Sequence, residues 1–171
     1  MVFEGTVHVF GDNVDTDVMI AGRYLSLLEP EEMAKHMFEE SDPGFVARVK
    51  HGDIMVAGKN FGSGSAREHA PLGFKALGIS CIVATSFGRT FYRMSVDLGL
   101  PIIECADAVA FAKQGAPGRV DTTTGKITLG GKTLTTRPLP PFVQEIIDEG
   151  GMTDWVKREA RRRGLTPEGQ R

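Results

Sequence analysis

Residues 58 to 69 read Gly-Lys-Asn-Phe-Gly-Ser-Gly-Ser-Ala-Arg-Glu-His, and they concentrate the reactive side chains of the chain. Three glycines and two serines run into an arginine, a glutamate and a histidine, between the apolar run Ile54 to Ala57 and a predicted helix ending near Leu77. Glycine lets a backbone come close to a ligand, and a helix start turns its positive dipole end toward negative charge. The stretch therefore has the make-up of a small-anion site with Arg67 as its cation. Familiar phosphate loops do not fit. The Walker pattern needs Gly-Lys-Ser/Thr where this chain has Gly64-Ser65-Ala66, and the dinucleotide fingerprint loses its third glycine to Arg67. A flexible strand-to-helix turn is the plainer alternative, since Gly and Ser favour turns, but the Arg67-Glu68-His69 cluster speaks against it.

A second polar group lies upstream, where Asp12, Asp15 and Asp17 crowd into six positions beside Asn13. Taken alone, such residues make turn and cap hydrogen bonds. The Gly64-Ser65-Ala66-Arg67-Glu68-His69 run, however, resembles the Gly-Ser-x-Arg-Glu-His signature of the swivelling domain of the aconitase superfamily. Ordered matches extend back to Gly11 through Asp17 and Gly22-Arg23-Tyr24-Leu25. Forward, they take in Ser86-Phe87-Gly88-Arg89 and Phe91-Tyr92-Arg93, so the resemblance covers residues 5 to 105. The chain is similar to the stand-alone small subunits of 3-isopropylmalate dehydratase, homoaconitase and 2,3-dimethylmalate dehydratase.

That resemblance implies a hydro-lyase subunit, active only with a large subunit, that isomerises a hydroxy diacid by dehydration and rehydration. Ser65 occupies the position of the catalytic base. Its hydroxyl is a very weak acid in water, and backbone donors from Gly62 to Ser65, a helix mouth and Arg67 would have to stabilise its alkoxide. Asp17 matches an aspartate that orients a histidine of the partner domain, and Arg67, with Ser63 and Gly64, is expected to bind the substrate carboxylate. Ala66 stands where many aconitases have serine, removing one hydrogen bond. A [4Fe–4S] cluster is expected on the large subunit, because Cys81 and Cys105 alone cannot supply its ligands and no metal site is expected in this chain.

In the same subunits the loop spanning Gly22 to Leu28 meets the variable group of the substrate, and homoaconitase-type chains carry an arginine where this one has Ser26. Ser26, Leu27 and Leu28 offer a small hydroxyl and apolar surface, so a third carboxylate would lack a partner unless Arg23 swung in. Burying a three-carbon branched alkyl group gains about 2 kcal/mol at roughly 0.8 per CH₂-sized group. 3-Isopropylmalate, of the leucine pathway, is thus the expected substrate, with 2,3-dimethylmalate second. An anion- or RNA-binding regulatory module is the non-enzymatic alternative.

Composition agrees with a soluble globular protein. The 171 residues, 41% hydrophobic, fit one domain, expected over 1–164 with a disordered tail at 165–171. A net charge of −2 gives no electrostatic case for nucleic acid, and the basic cluster Arg158 and Arg161 to Arg163 reads as a solvated helix end. Neither a membrane helix nor a signal peptide is apparent, so a cytoplasmic address is expected.

The elements that must hold these residues follow from periodicity. Thr6 to Phe10 is β-branched and aromatic, with Gly11-Asp12-Asn13 as its stop, and His8 lies mid-strand without an assigned role. Ile54 to Ala57, Cys81 to Thr85 and Pro101 to Glu104 alternate with helix-like stretches, giving the β-α-β-α-β rhythm of parallel strands. Gly78 and Gly99 stand where C-caps belong, and Pro71 confines the helix after the glycine-rich loop to a start close to itself. A helix is predicted from Glu29-Pro30 through Met37, ending before Asp42-Pro43-Gly44. Beyond Arg119, Gly130-Gly131 between two alternating runs predicts a hairpin and a second sheet, and a helix capped by Thr153 follows. The expected architecture is α/β, a three-layer swivelling β/β/α domain resembling the aconitase C-terminal domain.

Overall fold

The computed structural model describes residues 1–65 and 67–165; the tail expectation for 166–171 and the hydrogen bond lost at Ala66 lie outside it. The chain runs β1 (Val2–Val9), α1 (Thr16–Met19), a 3₁₀ turn (Gly22–Tyr24), α2 (Pro30–Ala34), α3 (Phe45–Arg48), β2 (Ile54–Ala57) and α4 (His69–Leu77). It continues with β3 (Cys81–Ala84), α5 (Arg89–Asp97), β4 (Ile102–Glu104), α6 (Ala108–Phe111), β5 (Pro117–Asp121), β6 (Lys126–Leu129), β7 (Lys132–Thr135), α7 (Pro141–Asp148) and α8 (Met152–Arg162).

The predicted second sheet is joined to the first. All strands form one seven-stranded sheet ordered β4-β3-β2-β1-β5-β6-β7, in which β1 to β4 are parallel and β5 to β7 antiparallel. The join is β1, which starts four residues before the predicted Thr6; this early part pairs Val2 through Thr6 with β5. Side-chain alternation shows how the sheet curls. Met55, Ile82 and Ile102 belong to the helix-side core, whereas Val56, Val83 and Ile103 share a second core with Val120, Ile127 and Leu129 of the antiparallel half. Both faces of the parallel strands are thus buried, one under helices and one under the folded-over ladder, giving the β/β/α layering. Gly130 and Gly131 turn β6 into β7 with φ of 56° and 81°, as a two-residue hairpin requires.

Pro71 is the third residue of α4, inside the first turn, where its missing N–H costs no helix bond. Gly78 closes that helix in the left-handed region. Two expectations need correction. The helix from Pro30 stops at Ala34, and Met37 and Phe38 reach the core from the following turns, with Phe38 itself at φ 56°. Thr153 does not cap α8, which starts one residue earlier after Gly151; its first-turn carboxylate is Asp154. His8 finds a role in packing: its Nε2 lies 2.8 Å from Asp53 Oδ2, both groups being almost fully buried. Asp53 also accepts the Thr6 and Lys50 N–H groups, tying β1 to the turn before β2.

Candidate active site

The loops following β1, β2 and β3 meet at the C-terminal edge of the parallel strands. Asn13 N–H donates to Lys59 O (2.8 Å), Gly62 N–H to Val14 O (2.8 Å) and Thr16 N–H to Ser63 O (2.9 Å), stitching the first loop to the second. Phe61 N–H donates to Ser86 O (3.0 Å) and Gly88 N–H to Phe61 O (2.8 Å), stitching the second to the third. Two glycines permit this closeness. A Cβ on Gly62, held at φ 75°, would overlap the Phe91 ring, and a Cβ on Gly88 would overlap Gly62 O. Phe61 then anchors the loop, fully buried and edge-on to Phe91 at 5.6 Å between centroids.

Ser65 rests on this frame with its side chain toward the surface, and its carbonyl accepts the Thr16 hydroxyl at 3.0 Å. Thr16 is buried, whereas Asp15 caps α1 by accepting the Asp17 and Val18 N–H groups, each at 2.9 Å. The cap turns Asp17 outward. There its Oδ1 accepts from Arg67 Nη1 at 2.8 Å, joining two residues fifty positions apart at the mouth of α4. Gly62 does not belong to the expected donor set, since its N–H is taken by Val14. Ser63 forms a parallel bridge with Asp15 and is engaged by the first loop as well, whereas among the described residues the N–H groups of Gly64 and Ser65 meet no backbone acceptor and can turn to an anion.

The Gly22–Tyr24 turn passes beside the Arg67 guanidinium, a Cβ on Gly22 falling 3.8 Å from Nη1. Arg23 is turned away and engaged by Glu39 and Glu40, its guanidinium 4.8 Å from the Tyr24 ring centroid. Ser26 is exposed, Leu27 packs against the core, and Leu28 remains 85% exposed. His69, the last residue of the motif, holds this loop: its Nε2 lies 3.2 Å from Leu25 O. A carbonyl only accepts, so the proton sits on Nε2, and the buried Nδ1 has no partner among the described residues. Sequence reasoning missed Thr16, Asp15 and His69 as parts of the site. The first two lay in plain view inside the Asp-Thr-Asp run, but only the fold shows which oxygen each one bonds.

Cys81 and Cys105 are free thiols in the core, and burial pushes both pKa values upward. Among the described residues no three His, Cys, Asp or Glu side chains are grouped to hold a metal ion.

A curled mixed sheet carrying a Gly-Ser-x-Arg-Glu-His loop at the parallel strand ends agrees with the family match: the Aconitase C-terminal domain model matches residues 5–107, and the chain belongs to that family. Within it, the chain is 50% identical over 159 residues to the 3-isopropylmalate dehydratase small subunit of Halothermothrix orenii, covering 92% of this chain and 96% of that one. It is 48% identical to the subunit of that name from Caldicellulosiruptor bescii, over 95% and 99% of the two chains. The crystal structure of 3-isopropylmalate dehydratase from Methanocaldococcus jannaschii superposes with a TM-score of 0.90 at 36% identity, over 96% of this chain and 98% of that one.

Proposed function

We propose that this chain is the small subunit of a 3-isopropylmalate dehydratase, a hydro-lyase completed by a large subunit, acting in leucine biosynthesis in the cytoplasm. The observation that carries the reading is that the neighbours Thr16 and Asp17 hold the Ser65 carbonyl and the Arg67 guanidinium, which brings Ser65, Arg67 and Asp17 to one exposed edge of the sheet. Such a half-site requires a second chain to enclose a substrate. No ligand set for a cluster exists among the described residues, and a [4Fe–4S] cluster on the large subunit would supply the Lewis acid for the departing hydroxyl.

In this mechanism Ser65 takes the proton next to a substrate carboxylate. The N–H groups of Gly64 and Ser65, which meet no backbone acceptor among the described residues, are donors for the negative charge that develops there, in a place that a partner would dry. Arg67 spends one nitrogen on Asp17 and keeps Nη2 and Nε for the substrate carboxylate. Asp17, more than half exposed, keeps its second oxygen for a partner side chain. Ser26 and the apolar Leu28 face the alkyl group. Arg23, occupied by two glutamates, is not poised to receive a third carboxylate. Both cysteines are buried thiols, as suits a reducing compartment.

The test is co-expression with a candidate large subunit, anaerobic cluster reconstitution and a substrate panel. Turnover of 3-isopropylmalate above 2,3-dimethylmalate and homoaconitate is expected. A preference for homoaconitate would overturn the loop reading, and failure of the two chains to associate would overturn the assignment as a subunit.

A further inference from the structure

A cleft of about 530 Å³ opens between the N-terminal part of α5, the end of β4 and residues 136–140. Neither Asp17, Ser65 nor Arg67 lines it. Most arginines of the chain hold a carboxylate, including Arg23, Arg48, Arg67, Arg119, Arg158, Arg162 and Arg163. Among the described residues Arg89, Arg93, Arg137 and Arg161 do not, and the first three line this one cleft.

Their placement runs against local stability. Arg89 opens α5, whose first turn has no acidic residue, so a cation sits at the positive end of the helix dipole. Arg93 follows four positions later on the same face, a like-charge pair that a helix disfavours. Tyr92 lines the cleft beside them, and burial together with the nearby Glu104 charge pushes its phenol pKa upward. Arg137 stands on a fixed segment: Thr136 N–H donates to Gly125 O, the Thr136 hydroxyl to Glu104 O, and Leu139 N–H to Thr122 O. Departures of this kind from local preference concentrate at functional sites. Three guanidinium groups against the single carboxylate of Glu104 leave two uncompensated positive charges, and Phe87, Ile103 and Leu139 give the cleft an apolar floor.

We propose that this cleft binds a small organic dianion, a dicarboxylate or a phosphate monoester, with its charged ends on Arg89, Arg93 and Arg137 and its carbon skeleton over Phe87 and Leu139. The volume suits such a ligand. The inference is independent of the role given to Ser65, because it is read on the full chain without a partner.

The experiment is an NMR titration of the ¹⁵N-labelled full chain with malate, with glycerol 3-phosphate, and with sulfate as the inorganic control. Saturable shifts are expected in residues 87–93 and 136–140, with a Kd of about 1 mM or tighter for one organic dianion. Binding should weaken at least about tenfold in the Arg93→Gln/Arg137→Gln double variant and persist in Arg67→Gln, with well-dispersed spectra in both. Malate binding alone would identify a dicarboxylate site, and glycerol 3-phosphate alone a phosphate site. An absence of saturable shifts, equal binding of sulfate (an adventitious ion only), or loss of binding in Arg67→Gln with retention in the double variant would each overturn the proposal.

Discussion

Replacing Thr16 by valine removes one oxygen from the centre of the proposed active site and leaves its shape almost unchanged. Thr16 is 1% exposed, and its hydroxyl donates to Ser65 O at 3.0 Å while its N–H separately holds Ser63 O at 2.9 Å. The backbone bond survives the substitution, so the loop stays attached but Ser65 loses its own tether. A single neutral hydrogen bond contributes about 1 kcal/mol net, and the freed Ser65 carbonyl lies near the surface where water can take over. For a chain of this size that corresponds to a fall in Tm of about 2–4 °C. The catalytic effect should be larger, because misplacing a reacting group by about 1 Å can cost about a hundredfold. Thr16→Val is therefore expected to lower kcat of the reconstituted enzyme about 10- to 100-fold while the isolated subunit melts cooperatively near its original temperature. Thr16→Ser keeps the hydroxyl and should recover most of the rate. If Thr16→Val retains kcat within about twofold, the tether does not position Ser65 and the reasoning is refuted.

Two further substitutions test the frame around the site. Burial would raise the pKa of Asp53, but hydrogen bonds from His8, Lys50 N–H and Thr6 N–H outweigh it and hold the carboxyl below its ordinary value. The charged form thus stabilises the fold above the unfolded-state pKa of about 3.9, and that stabilisation is lost as pH falls through and beneath it. Asp53→Ala strands three donors and should cost about 3–5 kcal/mol in urea unfolding at pH 7, with a flatter stability profile between about pH 3 and 5 than the parent; equal profiles would show that the buried pair does not drive the pH dependence. His69→Phe removes the bond to Leu25 O and should raise KM for substrate about five- to tenfold with kcat little changed, while His69→Gln restores much of the affinity. An effect on kcat alone would mean that His69 does not act through the Gly22 to Leu28 loop.

The parallel half of the fold was legible because Ile54 to Ala57 and Cys81 to Thr85 are continuous apolar runs, which only strands buried on both faces require. The hairpin was legible in Gly130-Gly131. The continuity of the sheet through β1 was not, since Val2 to Glu4 has no turn or period that announces an antiparallel partner more than a hundred residues away. The helix from Pro30 was drawn too long because Met33, Met37 and Phe38 share a helical spacing; the structure buries them through turns instead, with Phe38 in the left-handed region. At the site, residue types pointed to an anion beside Arg67, and the pairing with Asp17 came from the fold. Which N–H groups the neighbouring loop takes was decided by contacts between loops, as Gly62 N–H to Val14 O shows.

Ser65 is proposed as the base of a site completed by a large subunit, and Ser65→Ala removes that hydroxyl alone. The variant should bind the large subunit with unchanged affinity and melt as the parent does, since Ser65 anchors the loop through its carbonyl rather than its hydroxyl. Steady-state turnover of 3-isopropylmalate by the reconstituted complex should fall by at least about a thousandfold, the general-base share of the rate. Turnover within about tenfold of the parent, in a complex of normal stoichiometry, would show that Ser65 is not the base.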